Sequence, residues 1–200
     1  MTFKVLNVGG GSKGIPIPTW YDGWEHHLLD IDPKGNPDVV CDARELKSLP
    51  EDTYDAIYCS HNLEHFYRHD VPKVLSGFLH VLKPTGFAEI RVPDLGEVIK
   101  AVIDRNLDVT DKLYDSEAGP ITVLDVIYGY GPEIEKSGQD WYAHKSGYSF
   151  TSIQKILHAQ GFKFVFASQS SLNLAVIGFC QMPSQEQIDL IGLPPMPSNM

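Results

Sequence analysis

The stretch KVLNVGGGSKG, residues 4–14, constrains the fold more than any other part of the chain. Its apolar first half ends abruptly at Gly9, Gly10 and Gly11, which is typical of a buried parallel strand that runs into a tight turn. Glycine accepts positive φ at little cost and lets the backbone lie directly against a ligand. Ligands of open α/β sheets bind outside the carboxyl ends of the strands, so a ligand is expected at this turn, although turn chemistry alone also favours glycine.

The residues after the turn indicate which ligand it suits. Pro16 and Pro18 forbid a long regular helix directly after the glycines. A pyrophosphate is held by the amino end of a helix that follows such a turn without a break. We therefore expect a ligand that carries no phosphate at this point, which argues against a dinucleotide cofactor.

Acidic residues follow the next two apolar runs. Asp30 comes 21 residues after Gly9, close to the spacing of roughly 20 at which a carboxylate accepts hydrogen bonds from a ribose diol. Asp32 competes for this role, but it precedes a proline and could simply shape a turn. Asp42 ends the third run, where it is either the N-cap of the following turn or an acceptor for an exocyclic amine such as that of adenine.

Apolar periodicity predicts a single α/β domain over residues 1–182, followed by a proline-rich tail over residues 183–200. Periodicity weakens between residues 107 and 149, where we expect a loop-rich insertion that serves as a lid or substrate wall, because it is rich in aromatic residues. The last two strands are expected to be antiparallel neighbours. The predicted strands are residues 4–8, 27–31, 38–41, 54–59, 87–92, 162–167 and 172–180, and the predicted helices are residues 70–82, 95–106 and 152–160.

Charge and cysteine content exclude several partners. The net charge is -10 and the basic residues are scattered, so we expect no binding to duplex nucleic acid. No apolar run approaches the roughly 18–20 residues that span a bilayer, and we expect neither a membrane partner nor a signal peptide. Cys41, Cys59 and Cys180 have no zinc-binding spacing and are expected to be free thiols, which favours a reducing, cytoplasmic location.

Taken in order, these motifs resemble the class I S-adenosylmethionine-dependent methyltransferases, and in particular the small "methyltransferase type 11" branch. The resemblance implies a Rossmann-like α/β fold with a seven-stranded mixed sheet, in which only the last strand is antiparallel and helices cover both faces. It is carried motif by motif over residues 4–94. The matching motifs are Leu6–Gly11, Leu29–Asp32, Cys41–Ala43, Tyr54–His65 and Leu82–Gly86.

The resemblance also implies S-adenosylmethionine as the cofactor. The chain has Asn7 where the family often has an acid, and Lys13 where it often has a third glycine. Asn7 can still orient a water or the amino group, whereas Lys13 either pairs with the methionine carboxylate or points to solvent. The implied contacts are Gly9, Gly10 and Gly11 with methionine and ribose, Asp30 with the ribose hydroxyls, Ile31, Asp42 and Ala43 with adenine, and Ser60 and His61 with the methyl end.

Histidines are the candidates for a general base, which is needed when the methyl acceptor must lose a proton. We consider His61, His65 and His144 as catalytic residues, against the alternatives that His65, with Glu64, braces the fold and that His144 is a surface residue. His61, His65 and His69 would share one face of a helix and could hold a metal. We expect no metal, since the Leu-Glu-His turn is common in this family without one.

The sequence thus favours a methyltransferase that acts on a small molecule or a glycan precursor. One alternative is a catalytically inactive binding or scaffold protein with the same fold, which Asn7, Lys13 and the lack of a certain base would suit. A nicotinamide-dependent dehydrogenase is a third possibility. The absence of a helix after the glycine turn argues against it.

Overall fold

The computed structural model describes residues 2–116 and 118–194 and contains a seven-stranded sheet in the order β3-β2-β1-β4-β5-β9-β8. Neighbouring strands from β3 to β5 are parallel, whereas β9 is antiparallel to both β5 and β8. The predicted mixed sheet, with only its last strand reversed, is confirmed. The strands are β1 Lys4–Val8, β2 Glu25–Asp30, β3 Val39–Val40, β4 Tyr54–Ser60, β5 Leu82–Pro93, β6 Lys112–Ser116, β7 Gly119–Thr122, β8 Phe164–Ser170 and β9 Asn173–Phe179.

Helices pack on the sheet and beside it. α1 and α5 bury apolar side chains in one core with β1, β4 and β5, while the short α6 leads Ile191 into the core on the opposite face. Within the two described ranges no helix is both long and apolar enough to cross a membrane. The helices are α1 Val71–Val81, α2 Leu95–Arg105, α3 Val123–Tyr128, α4 Gly131–Ser137, α5 Phe150–Gln160 and α6 Gln185–Leu190.

Most strand boundaries differ from the sequence prediction by one or more residues, and at β3 and β5 the structure shows a cause. β3 has two residues instead of four, because the Asp38 carboxylate, rather than its backbone, accepts the Leu28 amide at 2.7 Å. β5 begins at Leu82, where the sequence predicts the end of a helix. In the pairing of β4 with β5, Tyr54 lies opposite Leu82 and Ala56 lies opposite Phe87. This shift of register accommodates the extra residues at the start of β5.

An aromatic segment takes the place of the helix that the prolines exclude. Among the described residues between β1 and β2, the one helical element is a 3-10 turn at Thr19–Tyr21. The Tyr21 hydroxyl and the Trp20 indole donate to the buried Glu89 carboxylate at 2.9 and 3.2 Å, and Arg91 donates to its other oxygen. Burial raises the pKa of Glu89 although these three donors oppose the shift.

The segment over residues 107–149, predicted to be rich in loops, contains the β6–β7 hairpin, α3, α4 and a 3-10 turn at Asp140–Tyr142. These elements share a small core with α2, in which Val98 packs with Leu113 and Val126. Thr122 and Asp125 form a reciprocal capping box at the start of α3. The segment is therefore an ordered unit built around its own apolar cluster.

The predicted tail is ordered as far as it is described. α6 buries Ile188, and Gln187 donates to the Thr85 carbonyl at 2.8 Å. Residues 195–200 of the predicted tail lie outside the described residues.

Helix α1 is held close to the 3-10 helix Ala43–Ser48, which follows β3. A Cβ atom at Gly77 would lie 2.6 Å from the Leu46 Cβ, a separation that real Cβ atoms essentially never show. The two backbones can approach this closely because residue 77 has no side chain. This contact fixes the position of the residues that directly follow β3.

We expect Gly77→Ala to lower the free energy of unfolding by about 1–2 kcal/mol, although alanine normally stabilises a helix. The overpacking against Leu46 outweighs the gain in helix propensity. Denaturant unfolding measures the change. Ser76→Ala on the same helix is the matched control and should change the free energy by less than about 0.5 kcal/mol. A Gly77→Ala protein as stable as wild type would contradict the close packing.

Candidate functional site

A cleft of about 730 Å³ lies at the carboxyl ends of β1, β2 and β4. One wall comes from the turns that follow these strands and from the 3-10 helix after β3. The other wall comes from α4 and the residues after it, which belong to the ordered segment over residues 107–149. Six predicted cofactor residues and two predicted catalytic residues line it, namely Gly9, Gly11, Asp30, Ile31, Asp42, Ala43, His61 and His65.

The glycine turn forms the floor of the cleft. Gly9 and Gly11 have φ values of 71° and 67°, in the left-handed region that glycine adopts at little cost. A Cβ atom at Gly9 would lie 2.0 Å from the Asn62 Nδ2, so the Asn62 side chain covers this glycine. Sequence reasoning gave Asn62 no role, although its position directly after β4 places it at the same sheet edge as the turn.

Asn7 lies beneath the turn rather than in the cleft. It is 2% exposed, and a Cβ atom at Gly10 would lie 2.2 Å from its Nδ2. Its Oδ1 is buried and accepts no hydrogen bond from the described residues. Gly10 sits directly against the Asn7 side chain, so both residues support the floor from behind.

Asp30 is the acidic residue that contacts the glycine turn. Its Oδ2 accepts the Gly11 amide and its Oδ1 accepts the Asp32 amide, both at 2.9 Å. Asp32 instead caps the following 3-10 turn by accepting the Lys34 amide at 3.0 Å. Asp30 therefore supports the glycine turn and Asp32 shapes the next turn, and both carboxylates line the cleft.

Asp42 is both an N-cap and a cleft residue. Its carboxylate accepts the Arg44 amide at 2.9 Å and pairs with the Arg44 guanidinium, whose Nη2 lies 2.6 Å from Oδ2. Burial raises the pKa of Asp42, but the hydrogen bonds from Arg44 outweigh it and the pKa is lowered. The carboxylate is therefore ionised at neutral pH, and Ala43 follows it as a small buried residue at the cleft wall.

Two further predicted residues lie outside the cleft lining. Ser60 is the last residue of β4 and is half-buried behind His61 and Asn62. Lys13 is exposed and pairs with Asp38, with 2.7 Å between Nζ and Oδ1. This ion pair joins the end of the glycine turn to the residue that precedes β3.

The three candidate histidines occupy different environments. His61 is exposed, with a φ of 49°, and its Nδ1 lies 3.3 Å from the Glu64 Oε1. His65 is partly buried at the cleft, and desolvation lowers its pKa although Glu64 opposes the shift. His144 lies behind His65, with the two ring centroids 4.8 Å apart.

The helical grouping of histidines considered from the sequence does not form. Leu63–His65 is a 3-10 turn that ends at an extended Phe66, so His61, His65 and His69 do not share a helix face. The fold instead brings His144 from the distant segment to Glu64 and His65. The Lys145 and Ser146 amides both donate to the Glu64 carbonyl, at 2.8 and 3.0 Å.

The outer wall of the cleft is aromatic and charged. Trp141 and Tyr142 line it, as the sequence predicted for a substrate wall, and the Trp141 Nε1 is buried without a hydrogen-bond partner in the described ranges. Lys145 lies 5.5 Å from the Tyr67 ring centroid and 3.3 Å from the Asp140 carboxylate. No local pattern in the sequence indicates Lys145 or Tyr67, because the contact between them is long-range.

Comparison with known proteins identifies the architecture. The family model described as "Methyltransferase domain" matches residues 6–90, which include β1 to β4, α1 and most of β5. A search of the curated proteins finds no match.

Solved structures share the fold at low sequence identity. A SAM-dependent methyltransferase from Archaeoglobus fulgidus is 19% identical with a TM-score of 0.56. The match covers 88% of this chain and 86% of the Archaeoglobus chain. The PH0226 protein from Pyrococcus horikoshii OT3 is 16% identical with a TM-score of 0.57. The match covers 90% of this chain and 82% of the PH0226 chain. A third structure is the complex between the Haloferax volcanii Trm112 methyltransferase activator and the putative methyltransferase. Its matching chain is 13% identical with a TM-score of 0.55, and the match covers 92% of this chain and 85% of that one.

The order of the motifs and the position of the cleft agree with these comparisons. The domain model matches the part of the chain that carries the glycine turn and both acidic strand ends. The reversed last strand completes the sheet that the resemblance implies. The chain therefore shares the fold of these solved structures, and its residues 6–90 match the methyltransferase domain family.

Proposed function

We propose that the protein transfers the methyl group of S-adenosylmethionine to a small-molecule acceptor or a glycan precursor. The cleft carries this proposal. Its volume of about 730 Å³ is in the range of roughly 300–1,000 Å³ that small-molecule sites occupy. It lies at the carboxyl ends of parallel strands, where this class of sheet binds its ligands. The segment over residues 107–149 separates the cleft from solvent on one side.

The cofactor contacts we propose follow the lining of the cleft. Gly9 and Gly11 offer bare backbone to methionine and ribose, and Asp30 keeps lone pairs on both oxygens for the ribose hydroxyls. Ile31, which is exposed at the cleft, packs against adenine, and Asp42 with Ala43 meets its amine and ring. Gly10, Asn7 and Ser60 do not line the cleft, and their proposed role is to hold its floor in place.

The chain fits this cofactor in two respects. The turn that receives it lines the cleft with main-chain atoms of Gly9 and Gly11, which carry no side chain to obstruct a ligand. The ribose and adenine ends meet acceptors, Asp30 and the ionised Asp42, while no helix begins at the turn to hold a phosphate. When bound, S-adenosylmethionine supplies a methyl group activated for in-line displacement.

Residues at the turn after β4 are placed to act on the acceptor. His61 and His65 line the cleft next to the end of β4, where we place the methyl group. His65 is held largely neutral by burial, so its imidazole is able to accept a proton from an acceptor hydroxyl or amine. His144 contacts His65 from behind and positions it rather than facing the cleft.

A small acceptor fits the surroundings better than a polymer. The chain has a net charge of -10, which repels nucleic acid, and the outer wall with Trp141 and Tyr142 leaves a bounded space. A cytoplasmic location is consistent with the free thiols of Cys41, Cys59 and Cys180.

We expect Asp30→Asn to weaken binding of S-adenosylhomocysteine by about 10- to 100-fold in calorimetric titration. The amide keeps one oxygen for the Gly11 amide but loses the charge that accepts the ribose hydroxyls, an interaction of roughly 1.5–3 kcal/mol. Asp32→Asn is the matched control, because asparagine caps a turn as well as aspartate does, and it should change the affinity by less than about threefold. Equal effects of the two substitutions would rule out the proposed role of Asp30.

We expect radiolabel from methyl-labelled S-adenosylmethionine to enter low-molecular-mass acceptors when the protein is incubated with a cell extract that has been fractionated by size. The bounded cleft and the acidic surface favour that fraction over nucleic acid and protein. Label in the polymer fractions would contradict a small acceptor. Cofactor binding without any transfer would favour the catalytically inactive alternative.

A further inference from the structure

Three potential metal ligands lie together where the turn after β4 meets the end of the segment over residues 107–149. One ligand atom from each of Glu64, His65 and His144 lies within 4.8 Å of the other two. Neither the glycine turn nor the acidic strand ends contribute to this cluster. Its residues are far apart in the sequence, so the fold itself assembles them.

The Glu64 carboxylate is buried and has no hydrogen-bond partner among the described residues. The residue is 1% exposed, and neither Oε1 nor Oε2 receives a hydrogen bond from any residue that the structure describes. The exposed His61 imidazole comes within 3.3 Å of Oε1 but forms no hydrogen bond with it. Buried charges are normally paired, hydrogen-bonded or bound to a metal, so this carboxylate needs a partner.

Both histidines present the nitrogen that a metal requires. The His65 Nδ1 lies 3.1 Å from the Ala143 carbonyl, and the His144 Nδ1 lies 2.9 Å from the Val126 carbonyl. A carbonyl only accepts, so each Nδ1 carries the proton and each Nε2 keeps a free lone pair. Metal-bound histidines are oriented in the same way by outer-shell carbonyl groups.

We propose that Glu64, His65 and His144 bind a divalent transition-metal ion of the zinc class. Two imidazoles and one carboxylate form a donor set that suits zinc and its neighbours better than magnesium or calcium, which prefer oxygen alone. Tetrahedral bonds of about 2.0–2.2 Å place ligand atoms about 3.3–3.6 Å apart, so atoms at the present limit of 4.8 Å must approach by about 1.2–1.5 Å. Small side-chain rotations supply that movement.

The ion has two consequences for the cleft. It cross-links the turn after β4 to the segment that forms the outer wall. Three protein ligands also leave one position of a tetrahedral ion for a water or a substrate atom. His65 lines the cleft, so an acceptor that carries an oxygen ligand is the class this position favours, and with the ion bound His65 acts as a ligand in place of the base proposed above. This last consequence, unlike the site itself, rests on the proposed methyltransferase function.

The test is zinc binding by the purified full chain, measured by calorimetric titration and by metal analysis after gel filtration. We expect one zinc ion per chain, and Glu64→Gln and His144→Ala should each weaken its binding by about tenfold or more. Zinc should raise the melting temperature of the wild type and leave that of Glu64→Gln unchanged. Without zinc, Glu64→Gln should melt no lower than the wild type, because it removes a buried unpartnered charge.

The control is His69→Ala, which removes the exposed histidine that helical spacing would group with His65 and should bind zinc as the wild type does. Zinc affinity unchanged by Glu64→Gln and His144→Ala, or weakened equally by His69→Ala, would overturn the site. Titration with S-adenosylhomocysteine in the same preparations separates the two proposals. Zinc binding without binding of S-adenosylhomocysteine would support the metal site and count against the function.

Discussion

Three loops approach one another at the carboxyl edge of the sheet only because three positions carry no side chain. Gly9 lies against the Asn62 amide, Gly10 against Asn7, and a Cβ at Gly35 would lie 1.6 Å from the Gly11 carbonyl oxygen. The loops after β1 and β2 are therefore in backbone contact, and the Asn62 side chain of the loop after β4 lies directly on Gly9. The cleft and the position of every residue on its floor depend on this packing, since a single Cβ would force the loops apart.

The sequence predicted the parts of the fold that rest on local signals. Apolar runs identified β1, β2 and β4 and the cleft at their ends, because burial makes such strands largely apolar. It predicted β3 and β5 with wrong limits. At β3 the Asp38 side chain replaces a backbone hydrogen bond, and at β5 the register shifts, and neither event leaves a pattern in the sequence.

The helices and strands of the outer wall, and the histidine cluster, could not be predicted for a different reason. The elements of residues 107–149 have four to seven residues, which is too short for periodicity to define them, and their core is completed by Val98 of another helix. The contact between His65 and His144 is long-range, whereas the spacing of His61, His65 and His69 suggested a helix. The 3-10 turn at Leu63–His65 breaks that helix, so a local pattern pointed to the wrong partner.

The outer wall and the floor of the cleft are held in place by different contacts. The Lys145 and Ser146 amides donate to the Glu64 carbonyl, and the Tyr148 hydroxyl donates to the Leu63 carbonyl at 3.3 Å. These bonds use backbone atoms of the turn after β4, so they hold the wall whatever side chains it presents to the cleft. Trp141 can therefore change without disturbing Asp30 or the glycine turn. The side chains of the outer wall at the cleft are thus free to vary while the cleft floor stays constant, because main-chain atoms of the turn after β4 accept the bonds that attach the wall.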